Sequence, residues 1–207
     1  MGADIDGVIE LRSAGGHWEM QVDLLDLQSG RDGEAWGVSF RLRRDGGFAA
    51  SPLCRSRAPG DASDAVWEAA VGDYQHSHTY ATWAEVAAVD WDAPLDGKPS
   101  WYWVGLWRPG EDGEFAQDGI VWASATPGLG EAAADAFGGD LDSPSQWPQG
   151  GEVQLEGAVH RPVILTAGLL APADRSPWLG AWQAMRRLAA EYGDENVRPV
   201  VWFGRRP

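Results

Sequence analysis

One cysteine, Cys54, one lysine, Lys98, and one asparagine, Asn196, are all that a chain of 207 residues contains of these three types. A lone cysteine excludes an internal disulfide, which fits a reducing cytoplasm. No stretch approaches the ~20 consecutive apolar residues of a membrane-spanning helix. The opening Met1-Gly2-Ala3-Asp4 lacks the basic segment and apolar run of a secretory signal. Positive charge is scarce: 16 Lys and Arg stand against 31 Asp and Glu, a formal net charge of −15. Phosphates would be repelled by such a chain and would release no counterions, which excludes direct nucleic-acid binding. A cation, a basic partner or plain solubility remain as explanations of the acidity. The strong preference for arginine over lysine reads as the coding bias of a GC-rich, actinobacterial-type genome. The chain also has no P-loop, no dinucleotide glycine fingerprint and no nucleophile elbow.

What is present is an ordinary globular balance, 44% hydrophobic and 23% charged, with 13 tryptophans as the exception. Trp buries a large area and also stacks on flat or cationic ligands. The first segment alternates, with Ile5, Ile9 and Leu11 on one side and Asp4, Asp6 and Glu10 on the other. Alternation resumes after Ser13-Ala14-Gly15-Gly16 with Trp18, Met20, Val22 and Leu24, predicting a β-hairpin over residues 4–25. Residues 31–42 are ambiguous between helix and strand. Helices are expected over residues 61–71, from the capping box Thr82-Trp83-Ala84-Glu85 to about residue 89, and over residues 177–192 after Ser176-Pro177. Residues 101–108, 119–124, 153–155, 162–165 and 197–203 read as strands. Residues 126–151 read as a long irregular excursion with at most one short helix, near residues 131–137. The pattern predicts a single α+β domain: a mainly antiparallel sheet with an N-terminal hairpin, a C-terminal strand and two to four helices packed on it.

Several landmarks resemble an uncharacterised family of bacterial and phage proteins whose members begin Met-Gly-Cys-Asp-Ile-His. Here the start is Met1-Gly2-Ala3-Asp4-Ile5-Asp6, followed by Glu10. Residues 31–38, 57–63, His76-Ser77, 82–86 and 196–203 are also similar to it. The resemblance covers the first ninety residues and the last fifteen, and implies a shared fold without an activity. Ala3 and Asp6 replace the family's cysteine and histidine, so chemistry needing that thiol or imidazole is absent or rebuilt.

Two clusters point to chemistry. Asp4 and Asp6, two apart on a strand, project from one face about 6.5–7 Å apart. His76 and His78 do the same if their segment is extended. Brought together, these four residues suit a divalent metal such as Zn²⁺, Fe²⁺ or Mn²⁺, or a metal-free acid–base site. The alternative is a solvated Asp pair beside structural histidines. In the run Trp101-Tyr102-Trp103-Val104-Gly105-Leu106-Trp107, Trp101, Trp103 and Trp107 share a strand face, and Gly105 leaves a gap between two indoles. That gap suits a flat ligand or a closely approaching backbone, with core packing against Trp178 and Trp182 as the alternative. Cys54 beside Arg55 and Arg57 is a weak candidate thiol. Arg41, Arg43, Arg44, Arg55 and Arg57 concentrate positive charge in one region, as counter-charge or for an anion.

These features favour an enzyme acting on a small metabolite in a Trp-walled pocket, with Asp4, Asp6, His76 and His78 as acid, base or metal ligands and residues 126–151 as a lid. The competing expectations are a non-catalytic acidic binding or inhibitor protein of mobile-element origin, and a protein that sequesters a small toxic compound. A small molecule is the expected partner ahead of a macromolecule, with a divalent metal or no cofactor at all.

Overall fold

The computed structural model describes residues 4–27, 53, 60–70, 76–139, 141, 143–171 and 178–204. The ambiguous segment 31–42, Cys54, the arginine group and the Ser176-Pro177 cap lie outside them. The fold is α+β, and the chain divides into two compact units, Met1–Ala93 with Leu170–Pro207 and the contiguous Pro94–Leu169.

The first unit is built on an antiparallel sheet of strand order β2-β1-β8-β3. Its strands are β1 (Asp4–Arg12), β2 (Trp18–Asp23), β3 (His76–Tyr80) and β8 (Val197–Gly204). The hairpin predicted from alternation is β1–β2, closed by a turn in which Gly16 takes φ 83°. β1 is nevertheless a central strand, because β8 pairs along its other edge from Asp4↔Gly204 to Leu11↔Val197. Gly7 marks the tightest point of this pairing, since a Cβ there would meet the Val200 carbonyl oxygen at 2.6 Å and Leu24 Cδ1 at 2.7 Å. Helix α1 (Asp64–Ala70) sets Val66 against Val8, Val200 and Trp202. Ile9 and Val201, which alternate with those strand residues, are also fully buried, so both faces of β1 are covered.

Helix α2 (Trp83–Ala87) starts at the expected capping box: Thr82 Oγ1 accepts from the Glu85 amide, and the Glu85 carboxylate accepts from the Thr82 amide. Two of the amide donors at the helix start, at the cap and at its third residue, are thereby satisfied. Of the later helices, α3 (Leu129–Phe137) lies in the second unit, and α4 (Leu179–Tyr192) packs on β1 and β8. Trp178 and Trp182 on α4 stack on each other, 4.5 Å apart and 6° from parallel. Trp182 also meets Trp83 and Trp91 at 6.4 and 6.1 Å.

The second unit carries an antiparallel sheet of order β5-β4-β7-β6. Its strands are β4 (Pro94–Pro109), β5 (Phe115–Trp122), β6 (Val153–Leu155) and β7 (Ala158–Thr166). Val104, Leu129, Ala133, Trp147 and Val153 form its core. The excursion expected at 126–151 supplies three of those five residues, from α3 and from the end of a 3₁₀ turn at Pro144–Gln146. Among the described residues no helix is long and apolar enough to cross a membrane.

Candidate functional site

The carboxylate and imidazole segments belong to the same sheet. β1 and β3 flank β8 on either side, so they lie two strand spacings apart, about 9.5 Å. Residues directly opposite in an antiparallel pair share a face. Asp6 opposes Trp202, and Tyr80 opposes Val200, two residues earlier on β8. The His78 ring stacks on Trp202 at 5.8 Å and 30°, which sets it on that same face. Asp6 and His78 therefore flank one indole on one face of the sheet. The segment that carries His76 and His78 is a strand, but its register with β8 shifts between His76 and Thr79, so the simple alternation that would set both imidazoles on one face is interrupted. Asp4 opposes Gly204 and His76 opposes Phe203, but the side chains of Asp4 and His76 lie outside the described residues. Among the described residues no group of three His, Cys, Asp or Glu side chains is placed to hold a metal.

The same face holds a cluster that the alternation pattern did not separate from solvated carboxylates. Glu10 is fully buried, and its carboxylate accepts from Arg198 Nε at 2.7 Å and from the Ser63 amide at 2.7 Å. The Arg198 guanidinium reaches Asp61 Oδ1 at 2.9 Å and lies over the rings of Trp18 at 3.8 Å and Tyr80 at 4.8 Å. Trp18 Nε1 donates to the other Asp61 oxygen at 3.0 Å. Burial pushes the Asp61 carboxyl upward, but the hydrogen bond and charge of Arg198 and the Trp18 donor outweigh it. The net effect holds Asp61 below the usual carboxylate range. Every oxygen of the Glu10 carboxylate has a donor, so this cluster is a clamp that ties β1, β8 and the start of α1 together.

The tryptophan run lies on β4 in the second unit. Gly105 leaves no slot: a Cβ built there would overlap the six-membered ring of Trp107, which folds back over it. Arg161, directly opposite Gly105 on β7, places its guanidinium 5.0 Å from that indole and pairs with Glu152 at 2.9 Å. Trp103 is half-buried and packs on Trp122 at 5.1 Å, with Tyr102 on the same ring at 5.6 Å. Trp101 is 53% exposed. The expected gap between indoles is thus closed by one of the indoles themselves.

A cavity of about 350 Å³ opens elsewhere in the second unit, between the end of β5, the first turn of α3 and residues 141–147. Leu129, Pro144 and Trp147 form apolar walls, while Thr126, Glu131 and Ser143 bring polar groups to it. Ser143 is almost fully buried and held in place: its hydroxyl accepts from the Ser145 amide at 3.1 Å and shares a hydrogen bond with Ser145 Oγ at 2.6 Å. Gly130 borders the cavity with open space where a side chain would start. Nothing in the sequence singled out Glu131, Ser143 or Trp147, because the cavity forms only when the irregular segment closes back on α3.

Compared with protein-family models, with curated proteins and with solved structures, the chain matches none.

Proposed function

We propose that this protein binds a small molecule without transforming it, in the cavity of the second unit. One observation carries the reading: a concave site of about 350 Å³ with a Trp wall, buried aliphatic sides and a few positioned polar groups. That is the usual make-up of a metabolite site, at the small end of the range. Among the described residues that line it, Glu131 is the one ionisable side chain, so these residues do not by themselves form a general acid and base pair. Sequestration of a small compound fits this composition better than turnover.

The test is a thermal-shift screen of a metabolite collection against the wild type and Gly130→Leu. The substitution needs no backbone change and fills the cavity mouth. Hits should raise the wild-type midpoint by several degrees through mass action and lose that effect in Gly130→Leu. Hits that shift both proteins equally would place binding elsewhere.

A second reading, an acid–base enzyme, is favoured by the pairing of Asp6 and His78 around Trp202. Trp202 Nε1 is buried with no hydrogen-bond acceptor among the described residues. In this reading Asp6 and His78 are the acid–base pair, with or without a divalent metal. Asp6→Asn and His78→Gln should then abolish turnover of a compound that still binds, whereas the cavity reading expects binding unchanged and no turnover by either protein.

A further inference from the structure

β5 ends its sheet, so among the described residues no further strand pairs with its outer edge. Native edges are commonly blunted by charged residues, proline, bulges or burial. β5, with the sequence Phe-Ala-Gln-Asp-Gly-Ile-Val-Trp, has no lysine or proline and is largely exposed. Its one charged residue, Asp118, is the extra residue of a bulge between Leu106↔Gly119 and Trp107↔Gln117, and the stretches Phe115–Gln117 and Gly119–Trp122 on either side keep regular register with β4. Its ends carry exposed aromatics, Phe115 at 47% and Trp122 at 39%, the latter beside Tyr102 at 46%. The turn that leads into it carries the exposed carboxylates Glu111, Asp112 and Glu114.

We propose that the β5 edge is a docking site for an extended, basic segment of a partner protein, which adds to the sheet as a fifth strand. Main-chain hydrogen bonds would supply the generic part of the affinity, as in other strand additions. Charge chooses the partner. The carboxylates of the turn attract cations at one end, and the indole and phenol faces at Trp122 and Tyr102 attract them at the other. The same sheet already uses this contact internally, with Arg161 on the Trp107 ring. A formal charge of −15 on the chain steers a basic segment toward it and repels an acidic one. The proposal is independent of the cavity reading, because the edge and the cavity share no residue used in either argument.

The probe is a fluorescein-labelled octapeptide of alternating Arg and Val, followed by anisotropy against the full chain. Saturable binding is expected at low salt, weakening at least about tenfold at moderate ionic strength as the charges are screened. Hydrogen exchange of the β5 amides should slow in the complex. The same peptide N-methylated at alternate residues should lose about tenfold or more in affinity, and a Glu–Val counterpart should not bind. The exposed charge reversal Glu114→Arg should weaken the Arg–Val peptide, while Gly130→Leu should leave it unchanged. Equal binding of the N-methylated peptide would overturn strand addition. Equal binding of the Glu–Val peptide, or no binding of the Arg–Val peptide, would overturn the assignment of the partner.

Discussion

Two buried side chains, Glu10 and Arg198, illustrate how much rests on individual residues in the first unit. Taking both charges out of water is costly, and the cost is met here by short hydrogen bonds, a second carboxylate and two aromatic faces around the guanidinium. Removing one partner strands the other. Glu10→Gln should therefore destabilise the fold by about 3 kcal/mol in chemical denaturation, whereas the paired change Glu10→Met with Arg198→Met should recover much of that loss. A double variant no more stable than the single one would argue against the clamp. Gly105 is the counterpart in the second unit. Gly105→Ala should displace the Trp107 ring from Arg161 and cost about 1–2 kcal/mol, with a changed near-ultraviolet dichroism spectrum as its signature.

Among the elements, α2 is the shortest of the labelled helices, five residues long, and most dependent on its cap. Its two reciprocal hydrogen bonds satisfy amides that no helix interior could reach. Thr82→Ala should cost about 1 kcal/mol, read as faster amide exchange at Glu85 and Val86 with other regions little changed. β3 shows the opposite dependence. Residues 76–80 have too little apolar alternation to declare a strand, and they become one because β8 offers an edge from Val200 to Phe203. That edge also brings His78 to the same indole as Asp6.

For the molecule as a whole, the two units hold ionisable groups displaced in the same direction for different reasons. Burial lowers the pKa of His160 in the second unit, helped by the charge of Arg108 and opposed by a hydrogen bond to the Val153 backbone. A histidine held below its unfolded value near 6.5 stabilises the fold above that pH and loses the contribution as the pH falls below it. Asp61 in the first unit is also held below its unfolded value, near 3.8, so its contribution persists until the pH falls below about that point. Acid titration followed by amide resonances should thus weaken residues 94–169 first, below about pH 6.5, and the first unit only at markedly lower pH. His160→Gln should remove the earlier phase. One simultaneous transition in the wild type would contradict the assignment.

Local signals in the sequence determined the α+β class, the opening hairpin, the capping box at Thr82, the last helix and the final strand. Each depends on neighbours within a few residues, and period-two alternation or a cap is a complete local statement of it. Alternation also placed Asp4, Asp6 and Glu10 on one side of β1, but it could not tell a carboxylate facing water from one facing an arginine 188 residues away. Only the pairing of β1 with β8 decided that Glu10 is a buried anchor. The same pairing, with β3 on the far edge of β8, set Asp6 and His78 around Trp202. Gly105 read as a gap because a missing side chain is visible in sequence, while the rotamer that folds Trp107 over it is not. The cavity beside α3 is the furthest from sequence. Its walls come from a segment with no periodicity, and they meet only because Leu129, Ala133 and Trp147 are drawn into one core with Val104 and Val153.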